Sequence, residues 1–424
     1  MLQNLKGMPD ILPADTAQWQ AMEETIRCIF SSYGFDEIRT PFLESTDLFS
    51  RSVGETTDIV EKEMYTFIDK NGESITLRPE GTASVVRAYN QHHLEHAYPL
   101  AKLYYMGPMF RHERPQKGRL RQFHQLGAEM LGSQHPLVDV EAIKLLFDIG
   151  QEFRVETPVL EINTVGDATC RPPYRETLQA FLRAQQSSLC ETCQKRIDTN
   201  PMRVLDCKNP TCQGLLTAAP MMMDHVCEPC RVHFMEVQEG LTQIDVPFII
   251  NKKIVRGLDY YTKTAFEMKA GNLGSQNTVG GGGRYDDLVS AMGGAPRPAV
   301  GFAMGLERLL LSTKHLIATA PIRIDVIPLG KAAEFLSMKL STELRASLRQ
   351  KVGVSVNTLL GHSSPKSALK QSNKTESSYA ILIGDQELAK QMASLKNLKT
   401  HLQKEVSFAE ISATLLGELH GTSN

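Results

Sequence analysis

The N-terminal segment of the chain carries apolar side chains at helical spacing. They recur on one face at Trp19, Met22, Ile26 and Ile29 or Phe30. With Asp15 as the N-cap, this pattern predicts a helix from Asp15 to Ser32, ended by Gly34. Residues 35–41 then alternate between apolar and polar side chains, which predicts a strand that stops at Pro41.

The middle of the chain has the pattern of a β-rich domain. It predicts one helix at residues 83–89 and strands at residues 74–77, 102–106, 122–129 and 252–268. Two of these strands flank a polar loop at 110–121, which favours an antiparallel sheet. The glycine run Gly280–Gly283 is typical of a tight turn, and residues 300–311 are interpreted as a strand or turn that enters a helix.

The C-terminal part follows a different pattern. After Pro321, strand-like and helical segments alternate, at residues 323–328, 332–350, 352–358 and 379–383. This alternation favours an α/β unit with a parallel sheet. We therefore predict two domains, 1–325 and 326–424. Residues 169–240 hold seven of the eight cysteines and are interpreted as an insertion in the first domain.

Composition narrows the class of protein. The 424 residues suggest two or three domains, and 46 Lys+Arg against 48 Asp+Glu leave a net charge of only −2. No apolar run approaches the roughly 18–20 residues that span a bilayer, and the N-terminus has no signal-peptide core, so we predict a cytoplasmic protein without a membrane segment. Residues 326–424 carry 10 Lys and 2 Arg against 8 acidic residues. This local excess fits either a polyanionic partner or a solvated lysine-rich surface.

The strongest chemical signal is the basic loop 110–121. It has five basic residues and one acidic residue between two predicted strands. A guanidinium group donates two parallel hydrogen bonds to a phosphate, so Arg111, at a strand end, is a candidate phosphate ligand. The alternative is a solvated hairpin tip. The sequence contains no P-loop GxxxxGK[ST], which argues against a standard P-loop nucleotide site.

Two further arginines have surroundings that suggest an anionic ligand. Arg256 lies among apolar and aromatic residues, so it needs either an anionic ligand or a structural carboxylate partner. Arg308 follows a small apolar segment that Gly301 and Gly305 bracket. Glycines let a ligand approach the backbone closely, so this segment could clamp a flat ring.

Together these stretches resemble the signature motifs of class II aminoacyl-tRNA synthetases. The residues that match motifs 1, 2 and 3 are Thr40–Pro41, Phe110–Glu113 with the loop to Arg121, and Gly301–Arg308. Arg256–Tyr261 and Gly282–Tyr285 resemble the two signatures of the histidyl-tRNA synthetase family. The similarity runs from Gly7–Asp10 to Ala380–Gly384, and five motifs in register are very specific.

The resemblance implies a fold. We expect an α+β architecture, in which a class II antiparallel sheet is flanked by helices. We also expect a cysteine-rich insertion at about 169–240 and a C-terminal α/β anticodon-binding domain. The family is dimeric through motif 1, so a homodimer is expected.

The resemblance also implies a reaction. Histidine and ATP would form histidyl-adenylate and pyrophosphate, and the histidyl group would then pass to the 3′-terminal adenosine of the tRNA. Arg111 and Arg256 would be the catalytic residues, on either side of the α-phosphate. ATP would be bound by Arg111, Glu113, Arg119 and Arg308. Glu113 would contact the adenine amino group, and Mg²⁺ would be bound largely by oxygens and water.

The expected histidine pocket has two parts. Glu80 and Thr82 would bind the α-ammonium group. The ring site would contain Gln125, Glu129, Tyr260, Tyr261 and Tyr285. Gln125 and Glu129 are four residues apart on a predicted strand, so they share a face, and Glu129 would accept the ring N–H.

On the tRNA side, Arg114 and Gln116 match the positions that read the extra 5′ guanosine of histidine tRNAs. The domain after about residue 325 would bind the anticodon loop.

The cysteines suggest a structural zinc ribbon. Three pairs lie in the insertion, Cys190/Cys193, Cys207/Cys212 and Cys227/Cys230. The simplest ligand set is the two CxxC pairs, Cys190, Cys193, Cys227 and Cys230. Cys190, Cys193, Cys207 and Cys212 form the alternative, and His225 or His233 could substitute. Cys28 and Cys170 are interpreted as ordinary buried residues, and thiols without a metal remain the other reading.

Two rival functions are weaker. A paralogue of the synthetase serves as the regulatory subunit of the first enzyme of histidine biosynthesis, but it typically lacks the tRNA-binding tail and intact signatures. Another class II synthetase, such as one for threonine or proline, would not carry the Arg256–Tyr261 signature.

Overall fold

The chain folds into two compact units in the computed structural model, Met1–Leu316 and Ile317–Asn424. The structure describes residues 2–54, 57–207, 209–254, 260–273, 277–313, 322–349, 353–362 and 364–420. The predicted boundary between residues 325 and 326 falls inside a strand of the second unit, Ile322–Pro328. This strand is hydrogen-bonded to two other strands of the second unit, which is why the division lies before it.

Within the described residues of the first unit, strands and α-helices alternate irregularly. The strands are β1 (Asp36–Glu37), β2 (Leu43–Ser45), β3 (Tyr65–Ile68), β4 (Ser74–Leu77), β5 (Ala101–Phe110), β6 (Gln122–Leu131), β7 (Val159–Thr164), β8 (Ile249–Ile250), β9 (Thr262–Lys269), β10 (Thr278–Arg284) and β11 (Ala299–Gly305). The α-helices are α1 (Pro13–Ser32), α2 (Thr46–Val53), α3 (Thr82–Gln91), α4 (Pro136–Glu152), α5 (Arg171–Ala184), α6 (Glu191–Thr199), α7 (Pro210–Leu215), α8 (Glu228–Gln243), α9 (Leu288–Ala291) and α10 (Leu306–Ser312).

The main sheet of the first unit is largely antiparallel, as the sequence predicts. Its described strands have the order β1-β5-β6-β11-β10-β9-β7-β8, and only the edge pairs β1–β5 and β7–β8 are parallel. A smaller sheet has the order β2-β4-β3. The prediction of a tight turn at Gly280–Gly283 is wrong, because these glycines lie within β10, paired on both sides.

Strand alternation divides the residues of β6 between two faces. Leu126, Ala128 and Met130 pack into a core with α1 and α4. The alternate residues, among them Gln125 and Glu129, point to the opposite face, where α3 packs. The sheet therefore has an apolar core on one side and the predicted histidine-binding residues on the other.

The first helix begins earlier than predicted. Pro13 occupies its first turn and Leu12 its N-cap position, so Asp15 lies inside the first turn instead of capping it. Proline suits this position because its missing N–H has no partner there in any helix. The predicted strand at 35–41 is reduced to Asp36–Glu37.

The insertion is helical. It contains α5 to α8 and runs from β7 to β8. It has its own apolar core, with four cysteine side chains within it and three more packed against it. Arg196 and Arg203 of the insertion form ion pairs with Asp58, at 3.2 and 3.7 Å. The cysteine-rich segment is thus a folded part of the first unit.

The second unit is a mixed α/β fold. Its described elements are β12 (Ile322–Pro328), β13 (Val354–Thr358), β14 (Tyr379–Ile383), β15 (Met392–Asn397), β16 (Gln403–Ser407), α11 (Lys331–Leu348), α12 (Pro365–Lys374), α13 (Asp385–Lys390) and α14 (Ile411–His420). The strand order is β13-β12-β14-β15-β16. The first three strands are parallel, as predicted, whereas β15 and β16 add an antiparallel edge that the sequence reading missed. Across the described residues of both units, no helix has the length and apolar composition needed to cross a membrane.

Candidate active site

A cavity of about 1190 Å³ opens on the α3 side of the main sheet. Ten of the predicted site residues line it, namely Glu80, Thr82, Arg111, Glu113, Arg119, Gln125, Tyr260, Tyr261, Tyr285 and Arg308. Part of the insertion also lines it, from Leu205 to Thr217. Residues from the motif 2 and motif 3 matches, and the tyrosines of the two further signatures, therefore line one site.

Glu129 is fully buried beside this cavity. Its carboxyl accepts hydrogen bonds from Thr82 Oγ1, at 2.7 Å, and from the Tyr285 hydroxyl. Burial raises the pKa of Glu129 to about 8, and these two hydrogen bonds offset the increase only in part. Near pH 7 this carboxyl therefore holds a proton in the absence of a cationic or donor ligand.

A glycine of the neighbouring strand makes room for this carboxyl. Gly301 is paired with Glu129, and a Cβ atom at Gly301 would lie only 1.9 Å from Glu129 Oε2. Any other residue at this position would push the carboxyl away, which is a structural reason for the glycine that opens the Gly301–Arg308 stretch.

Glu80 is the second buried carboxyl of the site. It accepts backbone N–H bonds from Thr82 and Ala83, both at 2.8 Å, and so satisfies the first turn of α3. Burial raises the pKa of Glu80, although these backbone hydrogen bonds act in the opposite direction. Two neighbouring acids with raised pKa values are well placed to receive a positively charged group.

Aromatic rings form the rest of this end of the cavity. The Tyr260 ring lies 4.7 Å from the ring of Tyr261 and 5.5 Å from that of Tyr285, measured between centroids. The Tyr105 hydroxyl donates to Gln125 Oε1 at 3.3 Å. The sequence reasoning missed Tyr105, although its position on β5, opposite β6, was a usable signal.

Arginines line another part of the same cavity. Arg111 Nε donates to the Pro79 carbonyl at 2.9 Å, and its guanidinium lies 5.2 Å from the centre of the Phe123 ring. Arg308 Nε donates to the Thr278 carbonyl at 2.7 Å. In both of these contacts the Nε–H group donates to a backbone carbonyl, which orients the guanidinium group in the cavity wall.

The surroundings of Arg308 shift its pKa but leave it a cation. Burial, together with the nearby charge of Arg119, lowers the pKa of Arg308, while Glu113 acts in the opposite direction. Arg119 in turn pairs with Glu113 at 3.2 Å. An anionic ligand among these groups would relieve the repulsion between the two arginines.

The remaining predicted residues lie elsewhere. Arg114 and Gln116 are exposed in the β5–β6 loop, where the backbones of Gln116 and Arg119 pair in a tight turn. They are not among the cavity-lining residues that the structure describes. Arg256 lies outside the described residues.

Comparisons with known proteins agree with this arrangement. A family model described as histidyl-tRNA synthetase matches residues 7–309, and one described as anticodon binding domain matches residues 323–418. The chain is 48% identical over 420 residues to the histidine–tRNA ligase of Trichlorobacter lovleyi, covering 98% of this chain and 99% of that one. It is 47% identical to the corresponding ligase of Geobacter sulfurreducens, covering 96% and 97%. The chain belongs to the histidyl-tRNA synthetase family.

Solved structures support the same family fold. The apo histidyl-tRNA synthetase of S. aureus matches with a TM-score of 0.82 and 34% identity, over 98% of this chain and 99% of that one. A protein from Bacillus halodurans, described as an ATP phosphoribosyltransferase regulatory subunit/histidyl-tRNA synthetase, matches with a TM-score of 0.64 and 20% identity, over 91% and 98%. The latter shows a shared fold alone, so the fold by itself does not separate a synthetase from a regulator.

One functional signature of this family contains a residue whose role is structural here. Arg284, next to Tyr285, is fully buried and its Nη2 lies 2.5 Å from Asp139 Oδ2. Burial alone would raise the pKa of Asp139, but His233 and Arg284 outweigh it and hold this pKa below its usual value. Because Asp139 is far away in sequence, no local signal identified this pair.

The structure corrects the predicted zinc ligands of this family member. Cys190 and Cys193 lie with Cys207 and Cys212, whereas Cys227 and Cys230 lie with Asp167 and Cys170. The set Cys190, Cys193, Cys227 and Cys230 is therefore wrong, because its two pairs belong to different groups; the alternative with Cys207 and Cys212 is the one brought together. His233 contacts Asp139 instead, His225 lies beside the Tyr174 ring, Cys170 belongs to a ligand group, and Cys28 is exposed.

Proposed function

We propose that this chain attaches histidine to its cognate tRNA in an ATP-dependent reaction, through histidyl-adenylate, with release of AMP and pyrophosphate. The observation that carries the proposal is the buried Glu129 carboxyl beside a cavity that Arg111 and Arg308 also line. One cavity thus offers a buried acceptor for a small polar ring and guanidinium groups for phosphates.

In the first step, a carboxylate oxygen of histidine attacks the α-phosphorus of ATP. The new O–P bond forms as the bond from that phosphorus to pyrophosphate breaks. The histidine carboxylate is already ionised near pH 7, so no general base is needed. The protein therefore acts by positioning the reactants and by stabilising charge on phosphate.

The histidine side of the cavity suits its ligand in charge and shape. Glu129 accepts the imidazole N–H, while Tyr261, Tyr285 and Gln125 surround the ring, with Tyr260 packed against both tyrosines. The α-ammonium group lies near Glu80 and Thr82, where its charge compensates the buried carboxyls.

On the ATP side, the arginines divide the phosphates between them. Arg111 contacts the α-phosphate and the histidine carboxylate, and Arg256 contacts the α-phosphate from the other side, as the family resemblance implies. Arg308 holds the γ-phosphate or stacks on the adenine, with Glu113 on the adenine amino group and Arg119 nearby. Mg²⁺ prefers oxygen ligands, and the cavity wall supplies carboxylates from Glu267 and Glu307; the ion would neutralise phosphate charge there.

The tRNA is held by parts of the chain outside the cavity. Arg114 and Gln116 are exposed, as residues that contact the acceptor end must be. The second unit, which corresponds to the predicted domain 326–424, binds the anticodon loop. We also propose that the protein is a cytoplasmic homodimer that assembles through motif 1.

A structural Zn²⁺ belongs to this proposal. The Sγ atoms of Cys190 and Cys207 are 3.9 Å apart, and a tetrahedral zinc with Zn–S bonds of about 2.3 Å separates its sulfurs by about 3.8 Å. The backbone N–H of Cys190 donates to Cys212 Sγ at 3.2 Å, as is favourable for a thiolate. With Cys193 as the fourth ligand, the ion would brace the segment that reaches the cavity at Cys207.

The first test is histidine-dependent exchange of pyrophosphate into ATP. Wild-type protein should support exchange with histidine and with no other amino acid. Arg256→Ala should reduce the exchange rate by about 10²–10³-fold, the usual effect of removing one donor to transition-state charge. The matched control is Arg27→Ala, because Arg27 is an exposed arginine of α1 that pairs only with Glu23 among its described ion pairs.

Two outcomes of the pyrophosphate-exchange test would contradict parts of this proposal. Folded, Mg²⁺-supplied protein that binds histidine without exchange would contradict the ligase and favour the regulatory paralogue. Exchange that Arg256→Ala leaves unchanged would contradict the role of Arg256 alone.

A further inference from the structure

The insertion has a second group of metal-ligand side chains at its base. Asp167, Cys170, Cys227 and Cys230 each place a ligand atom within 4.8 Å of the others. They come from two short motifs, D-x2-C at the entry to the insertion and C-x2-C at the start of α8. Two-residue spacings of this kind are typical of structural zinc sites, in which each motif supplies two ligands.

The distances between these atoms fit a tetrahedral ion. Cys170 Sγ and Cys230 Sγ are 4.0 Å apart, and Cys227 Sγ lies 3.8 Å from Asp167 Oδ2. Around zinc, with bonds of about 2.3 Å to sulfur and 2.0–2.2 Å to oxygen, these edges are about 3.8 and 3.5 Å. A disulfide would require sulfurs about 2.05 Å apart.

The loop that carries Asp167 is already arranged for a ligand. Asp167 Oδ1 accepts the backbone N–H groups of Thr169 and Cys170, at 3.0 and 3.2 Å, so these bonds leave Oδ2 available. The Asp167 N–H donates to Cys170 Sγ at 3.2 Å. Hydrogen bonds of both kinds orient metal ligands and stabilise their charged forms.

A glycine permits this arrangement. Gly166 has a φ of +65°, and a Cβ atom there would lie 2.6 Å from Cys170 Sγ and 2.2 Å from Met222 Cε. A larger residue would displace the very sulfur that faces Cys230. The close packing around Cys170 therefore depends on a residue without a side chain.

We infer that Asp167, Cys170, Cys227 and Cys230 bind a second Zn²⁺ ion, separate from the one at Cys190, Cys193, Cys207 and Cys212. Three thiolates select a soft or borderline metal over Mg²⁺ or Ca²⁺, and four protein ligands leave no open position for catalysis. The ion is structural.

The position of this ion in the fold indicates which segments it stabilises. It joins the entry of the insertion to the start of its last helix, α8, since Cys170 and Cys230 are 60 residues apart in sequence. The adjoining backbone is paired with the end of the histidine pocket: the Val165 N–H donates to the Lys263 carbonyl at 2.7 Å, and the Lys263 N–H to the Gly166 carbonyl at 2.8 Å. Lys263 follows Tyr261 by two residues, so the ion anchors the insertion beside the tyrosines of the site.

The test is a zinc count on full-length protein purified under reducing conditions, by elemental mass spectrometry. Wild-type protein should hold two zinc ions per chain. Cys227→Ser should hold one, and so should Cys212→Ser, which removes a ligand of the other site. Cys28→Ser, at an exposed cysteine outside both groups, should retain two. The count does not depend on ligase activity, so it can fail while the proposed function holds, and the reverse.

Replacement of zinc by cobalt shows which of the two sites has lost its ion in each variant. The seven thiolates of the two sites should give a sulfur-to-cobalt band in the near ultraviolet, which falls to about four sevenths in Cys227→Ser and about three sevenths in Cys212→Ser. If Cys227→Ser does not fold, Asp167→Asn replaces it: this variant keeps all the thiols and should lose one zinc ion at a chelator concentration at least about tenfold lower than wild type.

Two results would overturn the second site. One is a wild-type protein with a single zinc ion that Cys227→Ser retains and Cys212→Ser loses. The other is a disulfide between Cys170 and Cys230, found by mass spectrometry after alkylation of protein kept under reducing conditions throughout.

Discussion

The two ends of the active-site cavity carry ionisable groups of opposite kind, acids at one end and arginines at the other. At the histidine end, Glu80 and Glu129 are acids buried among neutral donors, and burial raises the pKa of both. At the phosphate end, Arg111 and Arg308 are cations oriented by backbone carbonyls and aromatic rings. Each end carries groups whose charge is opposite to that of the part of the substrate proposed to bind there, so we expect the substrate to stabilise both ends.

Because of this difference, we expect the two ends to respond differently to pH and to mutation. With its pKa raised to about 8, Glu129 can take up a proton when no ligand is bound, which gives the histidine end a dependence on pH. Arginine stays protonated at any ordinary pH, so the phosphate end has no such dependence. Mutations that remove a charge should therefore affect the two ends differently.

The largest effect is expected at the phosphate end. Arg111→Ala should lower the rate of histidine-dependent pyrophosphate exchange by about 10²–10³-fold, because a guanidinium on the α-phosphate stabilises charge that builds up in the transition state. Arg111→Lys should recover only part of this loss, since lysine keeps the charge but not the paired donors. Steady-state exchange kinetics measure both; an alanine variant within threefold of wild type would rule out a catalytic role.

A smaller effect is expected at the histidine end. Glu129→Gln should raise the histidine KM by about 10–10²-fold, because a hydrogen bond to a charged group contributes about 1.5–3 kcal/mol. The KM for ATP at saturating histidine should change little. Isothermal titrations with histidine and, separately, with ATP provide the check, and an equal loss of affinity for both substrates would contradict the assignment of Glu129 to the ring.

The pH dependence follows from the raised pKa of Glu129. With this pKa near 8 in the empty site, the carboxyl is mainly protonated at pH 7, and a bound ring N–H favours its ionised form. Histidine binding should therefore release a proton, and affinity should rise by up to about 50-fold between pH 6 and pH 8, as the ionised fraction of the carboxyl in the free protein rises from about 1% to about 50%. Free histidine loses its own ring proton over part of this range, so Glu129→Gln is the control that isolates the carboxyl. Equal pH profiles for the two proteins would refute this reading.

The smallest effect is expected outside the cavity. Arg114→Ala should leave pyrophosphate exchange within twofold of wild type but lower kcat/KM for tRNA charging by about fivefold, as an exposed charge contributes at most about 1 kcal/mol. Loss of one phosphate contact would also reduce the salt slope of tRNA binding by about 1. Filter binding at several salt concentrations measures this slope. A variant that loses exchange would place Arg114 in the cavity after all.

The parts of the site that the sequence predicted correctly are those with local signals. Strand alternation placed Gln125 and Glu129 on one face, and motif order brought the arginines and tyrosines to one cavity. The ion pair between Arg284 and Asp139 was missed because its partners are 145 residues apart. No periodicity relates such positions.

The grouping of the cysteines was also only partly predictable from the sequence. The two cysteines of each short spacing do lie in the same group, but spacing does not determine which pairs meet. That depends on the path of α5 to α8. Two members of the second group were missed, Cys170 because no second cysteine lies near it in sequence, and Asp167 because a search for cysteine pairs passes over a carboxylate.

The base of the insertion also bears on how this segment can change during evolution. Because residues 167–170 and 227–230 lie side by side, the chain that leaves the catalytic sheet after β7 comes back beside its starting point when it enters α8. A segment attached in this way can lengthen, shorten or be exchanged between relatives without moving the strands on either side. We would therefore look here first for a natural boundary at which to graft, trim or replace a module of this enzyme.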